Sequence, residues 1–237
     1  MGTIKKSYKR KYSISDEQLA LVSVKNHKHA KENPNALSDK IYSIQDVMNS
    51  RKLTDDLRLL DCSRPCTGSA SIILASEKMT KENTDIPVWI TGIGQKTTSA
   101  GFTKNASFSS MESTKLAGQT ALKMANKHIE NIDVAEIHDA FSVCEPMALE
   151  SLGFSKEGNG MSMIKEMHDT NNFKINPRGG LIGSGHPLGA TGIAQTIEIT
   201  QQIQSKAGKR QVDDARVGLI HNMSAAATSS TVLVLEK

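Results

Sequence analysis

The sequence lacks a long apolar run, and its cysteines and aromatic residues are few. No segment approaches the ~20 consecutive apolar residues of a membrane-spanning helix, and no hydrophobic stretch typical of a secretory signal follows the first charges. Cys62, Cys66 and Cys144 form an odd and sparse set, which favours free thiols in a reducing compartment over a disulfide framework. These absences predict a soluble, cytoplasmic protein without a membrane partner.

Basic residues crowd the beginning of the sequence, although the net charge of the whole chain is only +4. They are Lys5, Lys6, Lys9, Arg10 and Lys11. A nucleic-acid-binding arm is one interpretation, but no stacking aromatics or known binding module follow the cluster. The pattern favours a solvated, partly frayed terminus without a nucleic-acid partner, and contact with a phosphorylated ligand stays open as a third use.

Two segments before residue 86 carry helix-start signals, and two others show strand patterns. Ser15 and Gln18 form a capping box that opens one helix, and Ser43 starts a shorter one. The apolar runs Leu57–Leu60 and Ser69–Ala75 predict strands.

From Ile86 onward the predicted strands and helices alternate, with a polar loop rich in Ser, Thr and Lys after the first strand. The strands are Ile86–Ile93, Ile132–Ile137, Val217–Ile220 and Thr231–Leu235, and the helices are Thr114–Ile129, Phe141–Leu152 and Ala190–Ser205. This alternation is typical of an α/β fold in layers, with a mixed sheet covered by helices.

The segment from Asn176 to Gly192 is the most informative part of the sequence. Six glycines and two prolines surround His186, and a helix follows directly. Glycines reach backbone conformations with positive φ, and a helix N-terminus offers unpaired N–H groups and a partial positive charge. The pattern predicts a catalytic or ligand-binding loop for an anion or a developing oxyanion.

Three histidines occupy comparable places in the predicted topology. His138 and His221 each end a strand, and His186 lies in the glycine loop. Imidazole titrates near neutral pH and can donate to a carbonyl oxygen, so a shared acid–base and oxyanion site is favoured. Zinc ligation by the three histidines stays an alternative, and the Cys62/Cys66 pair has no second ligand pair beside it, so no metal is predicted.

These motifs resemble those of the thiolase family, in its C-terminal part. The glycine loop, Asn176-Pro-Arg-Gly-Gly through Gly-His-Pro-Leu-Gly-Ala-Thr-Gly192, is similar to the family's C-terminal signature. His138-Asp-Ala-Phe141 and His221-Asn222 are similar to the sterol-carrier-protein type and to archaeal acetyl-CoA acetyltransferase-like members, and so is the segment from Leu19 to His27 with Asn33-Pro34.

The resemblance implies a role for each matching residue. His186 would activate the nucleophilic thiol and, with His138, form an oxyanion hole, while His221 stands where other thiolases carry a second, acid–base cysteine. The other implied oxyanion-loop residues are Gly185, Asn222, Met223 and Ser224, and the implied substrate- or CoA-binding residues are Phe141, Gly183 and Pro187. Coenzyme A and acyl-CoA enter as substrates, and no bound cofactor is implied.

The resemblance also implies that much of a thiolase is missing. Residues 1–86 would be the end of the loop domain and the last strands of the N-terminal half, and residues 87–237 the C-terminal domain. The part that carries the nucleophilic cysteine is absent, so a separate N-terminal half would supply it in a homo- or hetero-oligomer, with a zinc-ribbon protein as a possible further partner.

Two functions remain open. The first is 3-ketoacyl-CoA thiolysis or acetyl-CoA condensation with the missing half. The second is non-catalytic CoA-ligand binding or scaffolding, favoured by the run from Met223 to Ala227, where this branch usually has glycines. Side chains there cost ~1–2 kcal/mol each if φ is positive. Without its partner, the helix Ala190–Ser205 is expected to expose an apolar face and make the isolated chain oligomeric.

Overall fold

The computed structural model describes residues 1–98, 107–224 and 227–237. The polar loop expected after Ile93 lies partly outside these residues, and Ala225 lies outside them entirely. The helices are α1 (Gly2–Tyr12), α2 (Asp16–Ala30), α3 (Ile44–Asn49), α4 (Glu77–Asn83), α5 (Glu112–Ala125), α6 (Cys144–Leu152), α7 (Gly160–Asp169), α8 (Gly180–Ser184) and α9 (Thr191–Ile203). The strands are β1 (Lys52–Thr54), β2 (Leu57–Arg58), β3 (Trp89–Thr97), β4 (Val134–Glu136), β5 (Val217–Ser224) and β6 (Ser229–Glu236).

The main sheet is mixed and runs in the order β3-β6-β5-β4. β6 lies antiparallel to both β3 and β5, with Leu233 opposite Ile93 on one side and Ile220 on the other. β4 pairs parallel with β5, and Glu136 lies beside Ile220. This mixed sheet and its helical cover confirm the predicted fold class.

Helices cover both faces of the sheet. Val232 and Val234 of β6 pack in one core cluster with Ala117 of α5, whereas Leu235 packs in another with Ile199 of α9. Because successive side chains of a strand point to opposite faces, α5 covers one face and α9 the other. The ends of β4 and β5 therefore lie between two helical layers.

Helix α2 runs through the interior of the molecule. It begins at the predicted capping box, in which Ser15 Oγ accepts from the Gln18 N–H and Gln18 Oε1 accepts from the Ser15 N–H. Most of its side chains are buried, including the polar pair Lys25 and Asn26. Contacts with α8 bring this helix next to the glycine loop.

The N-terminal lysines belong to helix α1, so the prediction of a frayed terminus is wrong, although Lys6, Arg10 and Lys11 are exposed as predicted. Lys5 is 2% exposed, and its Nζ lies 2.7 Å from Asp61 Oδ2 and 3.3 Å from Asp16 Oδ1. Lys9 forms a second ion pair with Asp16, at 2.7 Å. These contacts fix α1 against the loop that follows β2.

The segment Ser69–Ala75 forms no regular element, and the strand predicted there is wrong. Its backbone forms no hydrogen bond with another described residue, and Ile73 and Leu74 are 95% and 73% exposed. A strand needs a neighbouring strand for its hydrogen bonds, and none of the described strands lies beside this segment.

Other elements differ from prediction mainly at their ends. Strand β5 continues through Ser224, because its ladder with β6 extends to the pair Ser224–Ser229. The helix predicted from Phe141 begins at Cys144, which is buried as expected of a small apolar side chain. The sequence carried no recognised signal for helices α1, α4, α7 and α8.

Candidate active site

The ends of the parallel strands β4 and β5 open onto one cavity. Because Glu136 lies beside Ile220 in the parallel ladder, His138 and Asn222, each two residues further along, lie at the same end of the sheet. Both line a cavity of about 800 Å³, which His186 of the glycine loop also lines. Two of the three predicted histidines therefore meet at one site.

The glycine loop reaches this cavity through a sharp turn after α8. Gly185 has a φ of 97° and a ψ of 163°, a conformation that side-chain-bearing residues rarely adopt, and a Cβ there would lie 3.0 Å from Cys66 Sγ. The N–H of His186 donates to the Arg64 carbonyl at 2.9 Å, and the backbone of His186 bridges to Pro65. The loop after β2 thus holds the backbone of His186 in place.

The hydrogen bonds of Thr191 indicate which tautomer the neutral His186 ring adopts. Thr191 Oγ1 donates to the Pro187 carbonyl at 3.0 Å and lies 2.7 Å from His186 Nδ1. Since the hydroxyl proton is used in the first bond, Oγ1 accepts from Nδ1–H in the second. Nε2 of His186 is then unprotonated and available as a base.

The imidazole rings of His138 and His186 lie edge to face, with centroids 5.2 Å apart. Burial, reinforced by His221 and then by His186, lowers the pKa of His138 to about 3. Burial, and secondly the Arg178 charge, also lowers the pKa of His186 below its usual value. Both rings are neutral at pH 7, and each offers one N–H donor and one nitrogen acceptor.

His221 lies behind the cavity and does not line it. It is fully buried, and Leu219, His221 and Met223 share the face of β5 that packs toward α5. Burial lowers the pKa of His221 to about 3, so this ring is also neutral.

A chain of hydroxyl groups fixes the tautomer of His221. Ser113 Oγ donates to the Ala227 carbonyl at 2.6 Å and therefore accepts from Ser230 Oγ at 2.7 Å. Ser230 then accepts from Thr114 at 2.9 Å, and Thr114 accepts from His221 Nε2–H at 3.0 Å. Nδ1 of His221 is left unprotonated, without a hydrogen-bond partner among the described residues.

The loop that follows β5 carries the strain expected where side chains replace glycines. Ala227 has a φ of 62°, in the left-handed region. A side chain there costs ~1–2 kcal/mol, because its Cβ approaches the following carbonyl oxygen.

The structure places the remaining predicted residues in two groups. Those that line the cavity with the two histidines are Phe141, Asn222, Met223 and Ser224. Those outside its lining, besides His221, are Gly183, Gly185 and Pro187. The second group supports the loop: Gly183 lies in α8 where it meets the backbone of α2, and Gly185 and Pro187 flank His186.

Several residues of the site carried no recognised signal in the sequence. They are Ser63, Pro65, Ala140 and Leu188 in the cavity wall, together with Thr191. Ala140, Leu188 and Thr191 belong to the quoted motifs around His138 and His186, which could have indicated them. Ser63 and Pro65 come from a loop whose composition does not predict which side chains meet.

No cysteine lies among the described residues that line the cavity. Cys62 and Cys144 lie outside the cavity lining, and burial raises the pKa of the Cys62 thiol to about 11 and that of the Cys144 thiol to about 12. Cys66 lies in a neighbouring cavity beside Pro187. The described residues also contain no group of three or more His, Cys, Asp or Glu side chains that could hold a metal ion.

Comparison with known families assigns this architecture. The profile of the Thiolase C-terminal domain-like family matches residues 94–237. The chain belongs to the thiolase family. The resemblance inferred from the sequence motifs is therefore confirmed.

Two named relatives fall in the branches that the thiolase motifs indicated. Acetyl-CoA acetyltransferase of Methanothermobacter thermautotrophicus is 38% identical over 228 residues, which are 95% of this chain and 60% of that protein. Sterol carrier protein 2 of Bos taurus is 37% identical over 232 residues, which are 94% of this chain and 42% of that protein. The chain thus spans about half the length of these relatives.

Solved structures share the thiolase-like fold. The structure of the Ltp2-ChsH2(DUF35) aldolase aligns with a TM-score of 0.86 at 20% identity, covering 99% of this chain and 62% of that one. A monomeric SCP2-thiolase like protein from Mycobacterium smegmatis aligns with a TM-score of 0.75 at 14% identity, covering 99% of this chain and 50% of that one.

Among the described residues, no helix is both long and apolar enough to cross a membrane.

Proposed function

We propose that this chain is the C-terminal portion of a thiolase-type acyltransferase that acts on acyl-CoA thioesters, with the nucleophilic cysteine supplied by a separate N-terminal half. The observation that carries the proposal is the pair of neutral histidines, His138 and His186, with ring centroids 5.2 Å apart at the wall of one cavity. In this proposal residues 1–86 complete the N-terminal half and residues 87–237 form the C-terminal domain.

His186 is the base that activates the nucleophilic cysteine of the N-terminal half. Its unprotonated Nε2 takes the S–H proton, and the resulting thiolate attacks a carbonyl carbon of the substrate. Thr191 keeps Nδ1–H engaged, so the proton is received at Nε2. A His186 pKa below the usual value keeps this base unprotonated at pH 7.

The same two rings stabilise the oxyanion that the attack creates. Once protonated, His186 presents Nε2–H to the cavity, and the neutral His138 contributes its own N–H. Hydrogen-bond donors that are already in place before the reaction need little reorganisation. In other enzymes, loss of one such donor lowers kcat by roughly 10²- to 10³-fold.

His221 acts on proton transfer from behind the cavity wall. It is fully buried and fixed by Thr114, and it lies close enough to His138 that a proton on either ring would disfavour a proton on the other. We assign it the acid–base position that a cysteine occupies in other thiolases, with the backbone of Asn222 and Met223 beside the cavity as the second oxyanion site.

The overall reaction is acyl transfer, with coenzyme A and acyl-CoA as substrates and no resident cofactor. In the thiolysis direction, the thiolate attacks the 3-keto carbon, the carbon–carbon bond breaks, and acetyl-CoA leaves after taking a proton. The thiol of coenzyme A then attacks the acyl-enzyme and accepts the acyl group, and its proton restores the cysteine thiol. Apolar wall residues such as Phe141, Leu188 and Met223 suit the acyl part of these substrates.

Two features support a partner that carries the missing half. None of the described cavity residues is a cysteine. The strand-like segment Ser69–Ala75 exposes Ile73 and Leu74 and has no described strand beside it.

We propose a homo- or hetero-oligomer of the two halves, with a zinc-ribbon protein as a third component. One similar solved structure supports a further component, because the name of that aldolase, Ltp2-ChsH2(DUF35), gives two proteins.

The test is thiolysis by the native assembly. The chain is isolated from its source under native conditions, intact-mass analysis identifies what co-purifies, and CoA-dependent cleavage of a 3-ketoacyl-CoA is measured. We expect a cysteine-bearing thiolase half and turnover. Recovery of that half without cleavage of any 3-ketoacyl-CoA contradicts the catalytic assignment.

Variants of the histidines sharpen this test. His138→Ala and His186→Ala are each expected to lower kcat about 10²- to 10³-fold, because each removes a donor or the base at the reacting atoms. His128→Ala is the matched control, since His128 is not among the residues that line the cavity. Equal kcat in all three variants contradicts the assigned roles.

A non-catalytic role as a CoA-ligand-binding or scaffolding protein is the second candidate. The strained Ala227 after β5 favours it, because glycines there would let the loop approach a ligand more closely. This role predicts that CoA binds to the purified assembly in calorimetry while no 3-ketoacyl-CoA is cleaved.

A further inference from the structure

One buried carboxylate connects the chain segments that carry the two cavity histidines. Asp139 follows His138 at the end of β4 and is fully buried. Its Oδ1 accepts from the Leu181 N–H at 2.6 Å, and its Oδ2 accepts from the Ile182 N–H at 3.3 Å. These amides form the first turn of α8, and α8 leads within a few residues to His186.

A second set of hydrogen bonds joins the same two segments. Asn176 Oδ1 accepts from the Ile137 N–H at 2.7 Å, and Asn176 Nδ2 donates to Glu145 Oε2 at 2.8 Å. Asn26 of α2 uses both hydrogens of its amide, donating to Asp139 Oδ2 and to Glu145 Oε2, each at 2.7 Å. The residues before and after His138 are thus each bonded to the glycine loop.

Burying the polar cluster of Lys25, Asn26, Asp139, Glu145 and Asn176 costs free energy of desolvation, so stability alone does not explain its presence. Lys25 Nζ lies 3.0 Å from Glu145 Oε1 and donates to Asn26 Oδ1 at 2.6 Å, and all of these side chains are buried. Well-packed apolar groups in place of a buried ion pair are often neutral or stabilising. A buried network of hydrogen bonds and an ion pair instead restricts the backbone to one arrangement.

The sequence also reserves space for this carboxylate. Gly180 has a φ of +57°, and a Cβ built on it would lie 2.3 Å from Asp139 Oδ2 and 2.5 Å from Oδ1. Any side chain at position 180 would push the carboxylate away from the α8 amides. The close approach of the Asp139 carboxylate to Gly180 therefore excludes a side chain at position 180.

We infer that Asp139 is a positioning residue, which clamps α8 to the end of β4 and thereby sets the distance and angle between the His138 and His186 rings. Asp139 is not among the residues that line the cavity, so it acts through the two histidines. The inference rests on the proposed function for its purpose, but the ring geometry can be measured without turnover.

The experiment records the ring-to-ring nuclear Overhauser effect between His138 and His186, and the pKa of His186, by NMR on the full chain with labelled histidines. Asp139→Asn removes one acceptor, and Gly180→Ala displaces the carboxylate. Both variants are expected to lose the ring contact and to shift the pKa of His186. In the assembled enzyme, each is expected to lower kcat roughly 10²-fold with KM nearly unchanged, as a misplacement of about 1 Å does.

Two matched controls separate positioning from general destabilisation. Gly208→Ala introduces the same left-handed strain, since Gly208 has a φ of +63°, but a Cβ there meets nothing within 4 Å. Glu198→Gln removes a different buried carboxylate, one that pairs with Arg210 at 2.9 Å. Both controls are expected to lose stability while the ring contact and the pKa of His186 stay as in the wild type.

The inference is overturned if Asp139→Asn or Gly180→Ala folds and keeps the wild-type ring contact. If neither variant folds, Asp139→Glu serves, because it keeps both acceptor oxygens but shifts them by one methylene group relative to the Leu181 and Ile182 amides; an unchanged ring contact there also overturns the inference. Loss of the ring contact in an assembly without any turnover would reject the proposed function and leave the clamp standing.

Discussion

At the residue scale, Thr191 is the side chain that gives His186 its chemistry. Its hydroxyl accepts from Nδ1–H and so leaves Nε2 as the base. Thr191→Val keeps the shape of the side chain but removes that acceptor. We expect a mixture of the two His186 tautomers, visible in the ¹⁵N shifts of the ring, and roughly 10-fold lower kcat in the assembled enzyme. Thr200→Val, on the same helix α9, is the control that should change neither.

Buried titratable groups predict how stability depends on pH. Burial lowers the pKa of His29, His138 and His221 to about 3, so the unfolded chain binds three protons more near pH 5 to 6. Burial also lowers the pKa of His27, His168 and His186, which adds to this uptake. Burial raises the pKa of Glu136 to about 8, and burial with the neighbouring Glu145 charge raises that of Asp139, so these two carboxyl groups hold protons in the folded chain and offset part of the uptake.

The free energy of unfolding should therefore rise with pH from 5 until the histidines of the unfolded chain lose their protons near pH 6.5, by roughly 1.4 kcal/mol per pH unit for each net proton taken up, and fall at higher pH as the two carboxyl groups lose theirs. Urea unfolding at fixed salt across pH 5 to 8.5 measures this curve. A flat curve would show that these buried groups do not titrate as expected.

At the scale of the element, helix α1 depends on one buried ion pair. Asp61 accepts from Lys5 Nζ at 2.7 Å, and Ser142 Oγ donates to its other oxygen at 2.6 Å. Lys5→Ala would leave the Asp61 charge buried without its cation, and we expect a loss of about 3–5 kcal/mol in the free energy of unfolding. Lys6→Ala, at an exposed site, should cost less than about 0.5 kcal/mol. Equal urea midpoints for the two variants would contradict this account.

The exposed segment Ser69–Ala75 is expected to contribute to assembly rather than to the stability of the isolated chain. Ile73→Lys should leave the stability of the isolated chain unchanged within about 0.5 kcal/mol, because Ile73 is 95% exposed. The same variant should weaken assembly with the N-terminal half at least 10-fold, since strand addition buries alternate side chains. Met124→Lys, an exposed apolar site on α5, is the control. Equal affinity for all three proteins would remove this segment from the interface.

Elements with local signals were predictable, and those defined by distant contacts were not. Ser15 and Ser43 mark helix starts through bonds to residues three positions away, and both helices form there. Helix α1 escaped prediction because its lysine-rich sequence is held by Asp61, which is distant in the chain. The segment Ser69–Ala75 has the composition of a strand but no described strand to pair with.

The site shows the same division between local and distant information. The motifs around His138 and His186 pointed to a shared site, and the structure brings both rings to one cavity. The period-2 alternation of β5 places His221 on the side facing α5, which could not be inferred while the strand was expected to end at His221. The bonds of Asp139 to α8 arise from tertiary folding alone.

At the scale of the whole molecule, the exposed apolar side chains favour a larger assembly. Helix α9 does not expose the expected apolar face, since Ile193 and Ile197 are half-buried, whereas Ile73 and Leu74 before α4 are exposed. We expect the isolated chain to sediment as oligomers and to become monodisperse when the N-terminal half is added, because that half would cover apolar surface. A stable monomer in sedimentation velocity would argue against an obligate missing half.

The most direct test of the central claim is to locate the acyl-enzyme bond. The native assembly is incubated with 3-ketoacyl-CoA in the absence of free CoA, quenched in acid, and each polypeptide is mapped by mass spectrometry. The account predicts an acyl thioester on a cysteine of a second polypeptide, lost on addition of CoA, with Cys62, Cys66 and Cys144 unmodified. An acyl group on one of these three cysteines, or none on any polypeptide, would contradict it.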